Sequence, residues 1–189
     1  MKIIKVIVFI FLLVPIFILV YFGFNDNLTA DPVEYILHYT GLWSIRMLML
    51  TLAMTPLKNI TKQFVFLRLR RMIGLYVFFY VSLHLLVYIW LDLGFEFSHL
   101  WKDILERPYI TVGFLAWLLL IPLAVTSNKN MIRKLGKKWK ALHKSVYVIT
   151  ILACLHFIWL VKNDLLEPLI YATFAFVLLF YRLIRFYRS

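Results

Sequence analysis

Cysteine is nearly absent. Cys154 stands alone inside an apolar run, which excludes disulfides and thiolate metal clusters. Charge is also scarce: 16% of the 189 residues are charged and 63% are hydrophobic. A soluble domain of that length needs far more polar surface, so the chain reads as an integral membrane protein. Glycine occurs at six positions, none of them in a phosphate-cradling loop. The chain also lacks a helical HExxH pattern and a Cys-His spacing suited to zinc. No low-complexity tract or internal repeat stands out.

What fills the chain is apolar helix. Six segments qualify as spans, at about 3–24, 40–57, 72–93, 109–126, 142–161 and 169–183, given roughly 20 residues per crossing. The expected architecture is an all-α, six-transmembrane-helix bundle forming a single domain over residues 1–189, with no room for a soluble domain. Lys2 and Lys5 make the first segment resemble a signal peptide. Its apolar run is too long, and Asn25, Asp26 and Asn27 follow instead of small residues, so it reads as a retained span. Asp31-Pro32 predicts the start of a short helix lying on the outer surface, capped by Asp31 or Thr29.

Charge sets the expected orientation. Lys2 and Lys5, then Lys58, Lys62, Arg68, Arg70 and Arg71, then seven cations from Lys129 to Lys144, then Arg182, Arg185 and Arg188 make 17 of the 21 basic residues. All nine acidic residues fall in the alternate connections: Asp26, Asp31, Glu34, Asp92, Glu96, Asp103, Glu106, Asp164 and Glu167. Basic short loops stay cytoplasmic, so both termini are expected inside. The net charge of +12 then marks a cytoplasmic face beside anionic lipid, and no nucleic-acid partner is needed to explain it. Trp43, Trp90, Trp101 and Trp139 are placed as interfacial aromatics.

Histidine is the residue type such a chain can least carry without a reason. His84, His143 and His156 fall within or at the edge of apolar segments, where an imidazole is a functional candidate by default. Imidazole is also an axial ligand for haem iron. His84 and His156 are about twelve and fourteen residues into spans of the same direction, roughly 18–21 Å from the cytoplasmic end at 1.5 Å per residue. Two imidazoles at one depth on two helices can clamp one haem, while each alone could simply bridge helices by a hydrogen bond.

His143 lies 13 residues before His156, a rise of about 20 Å that suits a second haem towards the cytoplasm. Thirteen residues at about 100° each, however, leave the two rings about 140° apart on an ideal helix. Either the helix start is distorted or the ring approaches from a non-helical edge. Arg70, fourteen residues before His84 and about 40° off the same helical face, could hold a propionate but is a poor iron donor. Arg46, the one charge well inside the second segment, is a propionate counter-charge or a snorkelling surface group. His38 and His99 are assigned to outer loops. Gly74 and Gly113 are expected to allow close helix contact or passage of a flat ring.

Several longer strings carry a resemblance: HYTG at His38–Gly41, RRMIGL at Arg70–Leu75, HLLVY at His84–Tyr88 and RPYITVGFLAW at Arg107–Trp117. The longest and most specific is KLGKKWKALHKSVYVITILACLH, from Lys134 to His156. On these strings the chain resembles the MsrQ (YedZ) family, haem-binding membrane subunits of bacterial periplasmic methionine sulfoxide reductase systems, within the ferric-reductase-like transmembrane superfamily. The resemblance implies a b-type haem between His84 and His156, and an incomplete second site with His143 opposite Arg70. It implies flavin mononucleotide, and electrons from the quinone pool or a cytosolic flavin reductase. It also implies a periplasmic MsrP-type molybdopterin partner that carries out the sulfoxide chemistry, and a place in the bacterial inner membrane. A ferric or quinone reductase on the same scaffold, or a non-haem proton channel or carrier, are the rival readings.

Overall fold

A computed structural model describes residues 2–161 and 164–187; Arg188 of the basic tail lies outside the described residues. The described residues are helical with no strand: α1 (Lys2–Phe24), α2 (Pro32–Thr61), α3 (Val65–Val87), α4 (Phe97–Glu106), α5 (Pro108–Val125), α6 (Lys129–Leu135), α7 (Lys137–His143), α8 (Val146–Leu160) and α9 (Leu166–Tyr187). The chain divides into two compact units, one ending at Phe97 and one beginning at Ser98.

In the first unit, α2 and α3 are joined by three residues and pack along each other, as a short connection between antiparallel helices requires. Asp31 does cap a helix. Its carboxylate accepts from the Glu34 N–H at 3.0 Å, and Pro32 supplies the first helical residue. That helix is α2 itself, which runs unbroken through 30 residues to Thr61, not a separate surface helix. At 1.5 Å per residue it is about 45 Å long against a hydrocarbon core of about 30 Å. The polar string from Glu34 to Thr40 hides this continuity from any hydropathy reading.

Among the described residues five stretches are long and apolar enough to cross a membrane: α1, α3 with the turn after it, α5, α7 with α8, and α9. The expected second span, α2, has the length but is too polar by composition. Three of its buried hydroxyls are nonetheless satisfied within the helix. Thr40, Ser44 and Thr51 are buried and donate to the carbonyls of Ile36, Thr40 and Met47 at 2.8, 2.8 and 2.9 Å. Hydroxyls bonded one turn back need no water, which is what a lipid environment demands.

Three phenols tie α1 to this pair. Tyr76, Tyr80 and Tyr39 donate to the carbonyls of Phe9, Leu12 and Pro15 at 2.9, 2.7 and 2.9 Å. The three acceptors recur at every third residue, so they wind slowly along one side of α1. Most of the remaining surface of α1 exposes large apolar side chains, as a lipid-facing helix does. Trp43 sits half-buried against Tyr80, with ring centroids 6.4 Å apart. Beyond Val87 the helix loosens into a π-helical turn, Tyr88–Asp92, closed by the Leu93 N–H on the Tyr88 carbonyl at 3.0 Å.

In the second unit, α5 pairs with α8 and α9 packs on α8. Pro108 at the first helical position opens α5. The expected span over 142–161 is interrupted. α7 ends at His143 and α8 starts at Val146, and across this junction Lys144, Ser145 and Tyr147 donate three residues back, to Ala141, Leu142 and Lys144, at 3.1, 3.0 and 3.0 Å. Such bonds wind the chain at about 120° per residue in place of about 100°.

Candidate functional site

His84 stands near the end of α3 with its ring against α2. Its Nδ1 lies 3.0 Å from the Leu37 carbonyl oxygen and 3.3 Å from Thr40 Oγ1. A carbonyl oxygen can only accept, so Nδ1 carries the proton and the neutral ring keeps its lone pair on Nε2. His156, on α8, repeats the arrangement against α5: Nδ1 donates to the Tyr109 carbonyl at 2.7 Å. A histidine that binds iron commonly donates its other N–H to a carbonyl in this way, which fixes the ring and raises its basicity.

His84 stands 19 residues after Val65, the first residue of α3, and His156 stands 10 residues after Val146, the first of α8. Each ring also rests on a glycine. A Cβ on Gly41 would stand 3.2 Å from His84 Cε1, and one on Gly113 would stand 2.7 Å from His156 Nδ1. Each seat presents an oriented imidazole with Nε2 left to coordinate, the donor type that a haem iron takes.

His143 is held differently. Its Nδ1 donates to the Trp139 carbonyl of its own helix at 3.1 Å, and its ring stacks on Trp139 at 3.9 Å between centroids. The Trp139 indole N–H in turn donates to the Thr126 carbonyl at 3.0 Å. Ser127 Oγ lies 3.5 Å from His143 Nε2, but its one hydrogen points at the Leu123 carbonyl, 2.7 Å away, so the contact to the ring is weak. The angular conflict expected between His143 and His156 is eased by the overwound segment between them. Three residues wound about 20° further each narrow the ideal 140° separation to about 80°.

The arginines fall as follows. Arg70 lies near the start of α3 with Nη1 3.5 Å from Thr55 Oγ1. Arg46 is at the middle of α2, its guanidinium 5.0 Å from the Trp43 ring centroid, an in-helix cation–π contact. His38 and His99 are exposed as expected, but on helices α2 and α4 and not in loops. Gly74 is not a tight seat, since a Cβ there would meet only Thr51 Cγ2 at 3.8 Å. Gly41, Thr40 and the carbonyls of Leu37 and Tyr109 are the participants that sequence reading did not single out. HYTG contains two of them, but nothing in residue type marks a carbonyl as an acceptor.

Residues 40–154 match the family described as ferric reductase like transmembrane component. A relative from Xanthomonas euvesicatoria pv. vesicatoria, named protein-methionine-sulfoxide reductase heme-binding subunit MsrQ, is 54% identical over 160 residues, 85% of this chain and 73% of its own. The MsrQ protein of Xanthomonas campestris pv. campestris is 53% identical over 84% of this chain and 72% of its own. That of Bordetella pertussis is 45% identical over 98% and 91%. The chain belongs to the MsrQ family. No solved structure gives a significant match. Family and apolar helices together make it a multi-pass membrane protein.

Proposed function

We propose that this chain is the haem-carrying, electron-transferring subunit of a methionine sulfoxide reductase system in the bacterial inner membrane. It passes electrons from the quinone pool or a cytosolic flavin reductase to a periplasmic MsrP-type molybdopterin enzyme that reduces oxidised methionine in envelope proteins. The observation that carries the reading is the shared tautomer of His84 and His156, each ring held by a backbone carbonyl over a glycine. The printed names of the relatives, heme-binding subunits of this reductase, support it.

In this reading His84 and His156 would hold one b-type haem through its iron, and residues 1–189 would act as one domain. Bound there, the haem supplies a reversible one-electron couple. The Leu37 and Tyr109 carbonyls orient the two imidazoles, and a dry apolar shell would keep the dielectric low and help set the potential. Arg46 and Arg70 are candidate counter-charges for propionates. α2 is the sixth span, and both termini lie in the cytoplasm.

His143 is the candidate ligand of a second, inner haem. Replacing it with alanine is expected to leave the His84–His156 haem intact and to remove only an additional haem signal, read by haem titration with electron paramagnetic resonance. A variant with its full haem content takes His143 off the ligand list. For flavin mononucleotide, the basic stretch from Lys129 to Lys144 is the place to look. Lys129, Arg133, Lys134, Lys137, Lys138 and Lys140 are all exposed there, and their field favours a phosphate.

The rival with specific support is a ferric or quinone reductase, because the family match carries a ferric-reductase description. Reconstituted protein reduced by quinol or by a flavin reductase should transfer electrons faster to the periplasmic sulfoxide reductase than to iron chelates; the opposite ranking would favour the rival. Partner docking is assigned to the acidic stretch Asp92–Arg107. Charge reversal at the exposed Glu96 and Glu106 and at Asp103 is expected to slow association and to flatten its salt dependence.

A further inference from the structure

No repeat is visible in the sequence, yet the same three-part seat occurs twice. In the first unit it is Leu37 O, Gly41 and His84; in the second it is Tyr109 O, Gly113 and His156. The histidine lies 47 residues beyond its carbonyl in both, and the glycine lies four residues beyond the same carbonyl in both. A shift of 72 residues therefore carries one seat onto the other. Between the two triads only the glycine and the histidine are identical, so composition and periodicity do not reveal the match.

Helix geometry explains why the middle member is glycine. The Cα–Cβ bond tilts towards the helix N-terminus, so a side chain covers the turn before its own Cα. At positions 41 and 113 that turn carries the carbonyls of Leu37 and Tyr109. Any Cβ there stands between the carbonyl and an approaching ring, while bare backbone lets the imidazole slide along the helix until Nδ1 meets oxygen. The carbonyl already faces the glycine's own N–H within the helix, and its second lone pair receives the imidazole.

We infer that Gly41 and Gly113 are positioning residues for the iron ligands, each holding open the carbonyl that orients its histidine. This rests on the assignment of His84 and His156 as ligands made above. The two seats differ in tolerance. A Cβ at 113 would stand 2.7 Å from Nδ1, 2.9 Å from Cε1 and 3.2 Å from Cγ of His156, so the whole ring must move. At 41 the shortest distances are 3.2 and 3.4 Å, and His84 has Thr40 Oγ1 as a second acceptor at 3.3 Å, so a small shift suffices.

The test is a haem titration with electron paramagnetic resonance and redox potentiometry on the full chain, comparing Gly113→Ala, Gly41→Ala and Gly74→Ala. Gly113→Ala is expected to weaken haem binding about 10–100-fold, the usual effect of losing an outer-shell partner, and to change the low-spin signal. Gly41→Ala should keep the haem with shifted g-values and potential. Gly74→Ala should match wild type, because its Cβ meets only an ordinary contact. Wild-type affinity and spectrum in Gly113→Ala overturn the inference. If Gly113→Ala does not fold, Gly41→Ala decides, and unchanged g-values and potential there overturn it. Should His84→Ala and His156→Ala themselves keep haem, it is the ligand assignment that fails, a result separable from any glycine outcome.

Discussion

Alanine at His84 and alanine at His156 are each expected to remove the same haem, and the double variant to remove no more than either single one. An iron held between two imidazoles loses a direct bond when one goes, and a carbonyl-oriented partner cannot by itself hold a low-spin centre. Residues that act as one unit are strongly non-additive. Two histidines serving separate groups would instead each remove a part, and the parts would sum. Haem content by absorption, read beside the low-spin paramagnetic signal, separates the two patterns. The expected loss is close to complete in each single variant. Partial losses that add would assign His84 and His156 to different groups.

Tyr80→Ala is expected to be the most damaging change that touches no candidate ligand. Tyr80 is 1% exposed, stacks on Trp43, meets Phe79 edge to face at 5.6 Å and donates to the Leu12 carbonyl at 2.7 Å. Emptying a buried aromatic site costs about 3–5 kcal/mol, whereas Tyr80→Phe forfeits one hydrogen bond to a carbonyl, about 1 kcal/mol. Lipid tails are as apolar as leucine, so packing and hydrogen bonds carry most of the helix association here. Unfolding titrations in detergent should rank wild type, Tyr80→Phe and Tyr80→Ala in that order. A thiol placed on the face of α1 that meets the tyrosines should become reactive only in the alanine variant. Equal losses in the two variants would transfer the attachment of α1 from packing to the phenolic hydrogen bond.

The elements that sequence reading finds are those with a long-range chemical signature. Apolar runs mark α1, α3, α5, α8 and α9, and the rarity of imidazole in such runs marks the three histidines. Asp31 before Pro32 marks a cap. What it misreads has the signature of something else. α2 looks half-soluble because hydroxyls count as polar whether or not their hydrogens are bonded to their own helix. The gap between α7 and α8 is invisible because an overwound turn needs no special residue, only a change in which carbonyl each N–H finds. The carbonyls of Leu37 and Tyr109 are the hardest to foresee, since every residue has one. Gly41 and Gly113 betray them only after a histidine is seen lying on each.

The polar make-up of α2 also bears on how the protein is built. A segment carrying Arg46 near its centre is a poor candidate for insertion by itself, since one arginine at mid-bilayer costs about 2.5–3.5 kcal/mol on the translocon scale. α3 is apolar and follows after only three residues. The two helices are therefore expected to leave the insertion machinery as a hairpin, with α3 drawing α2 into the bilayer. The seat for His84 would then be assembled in the same event that brings its two helices into the membrane.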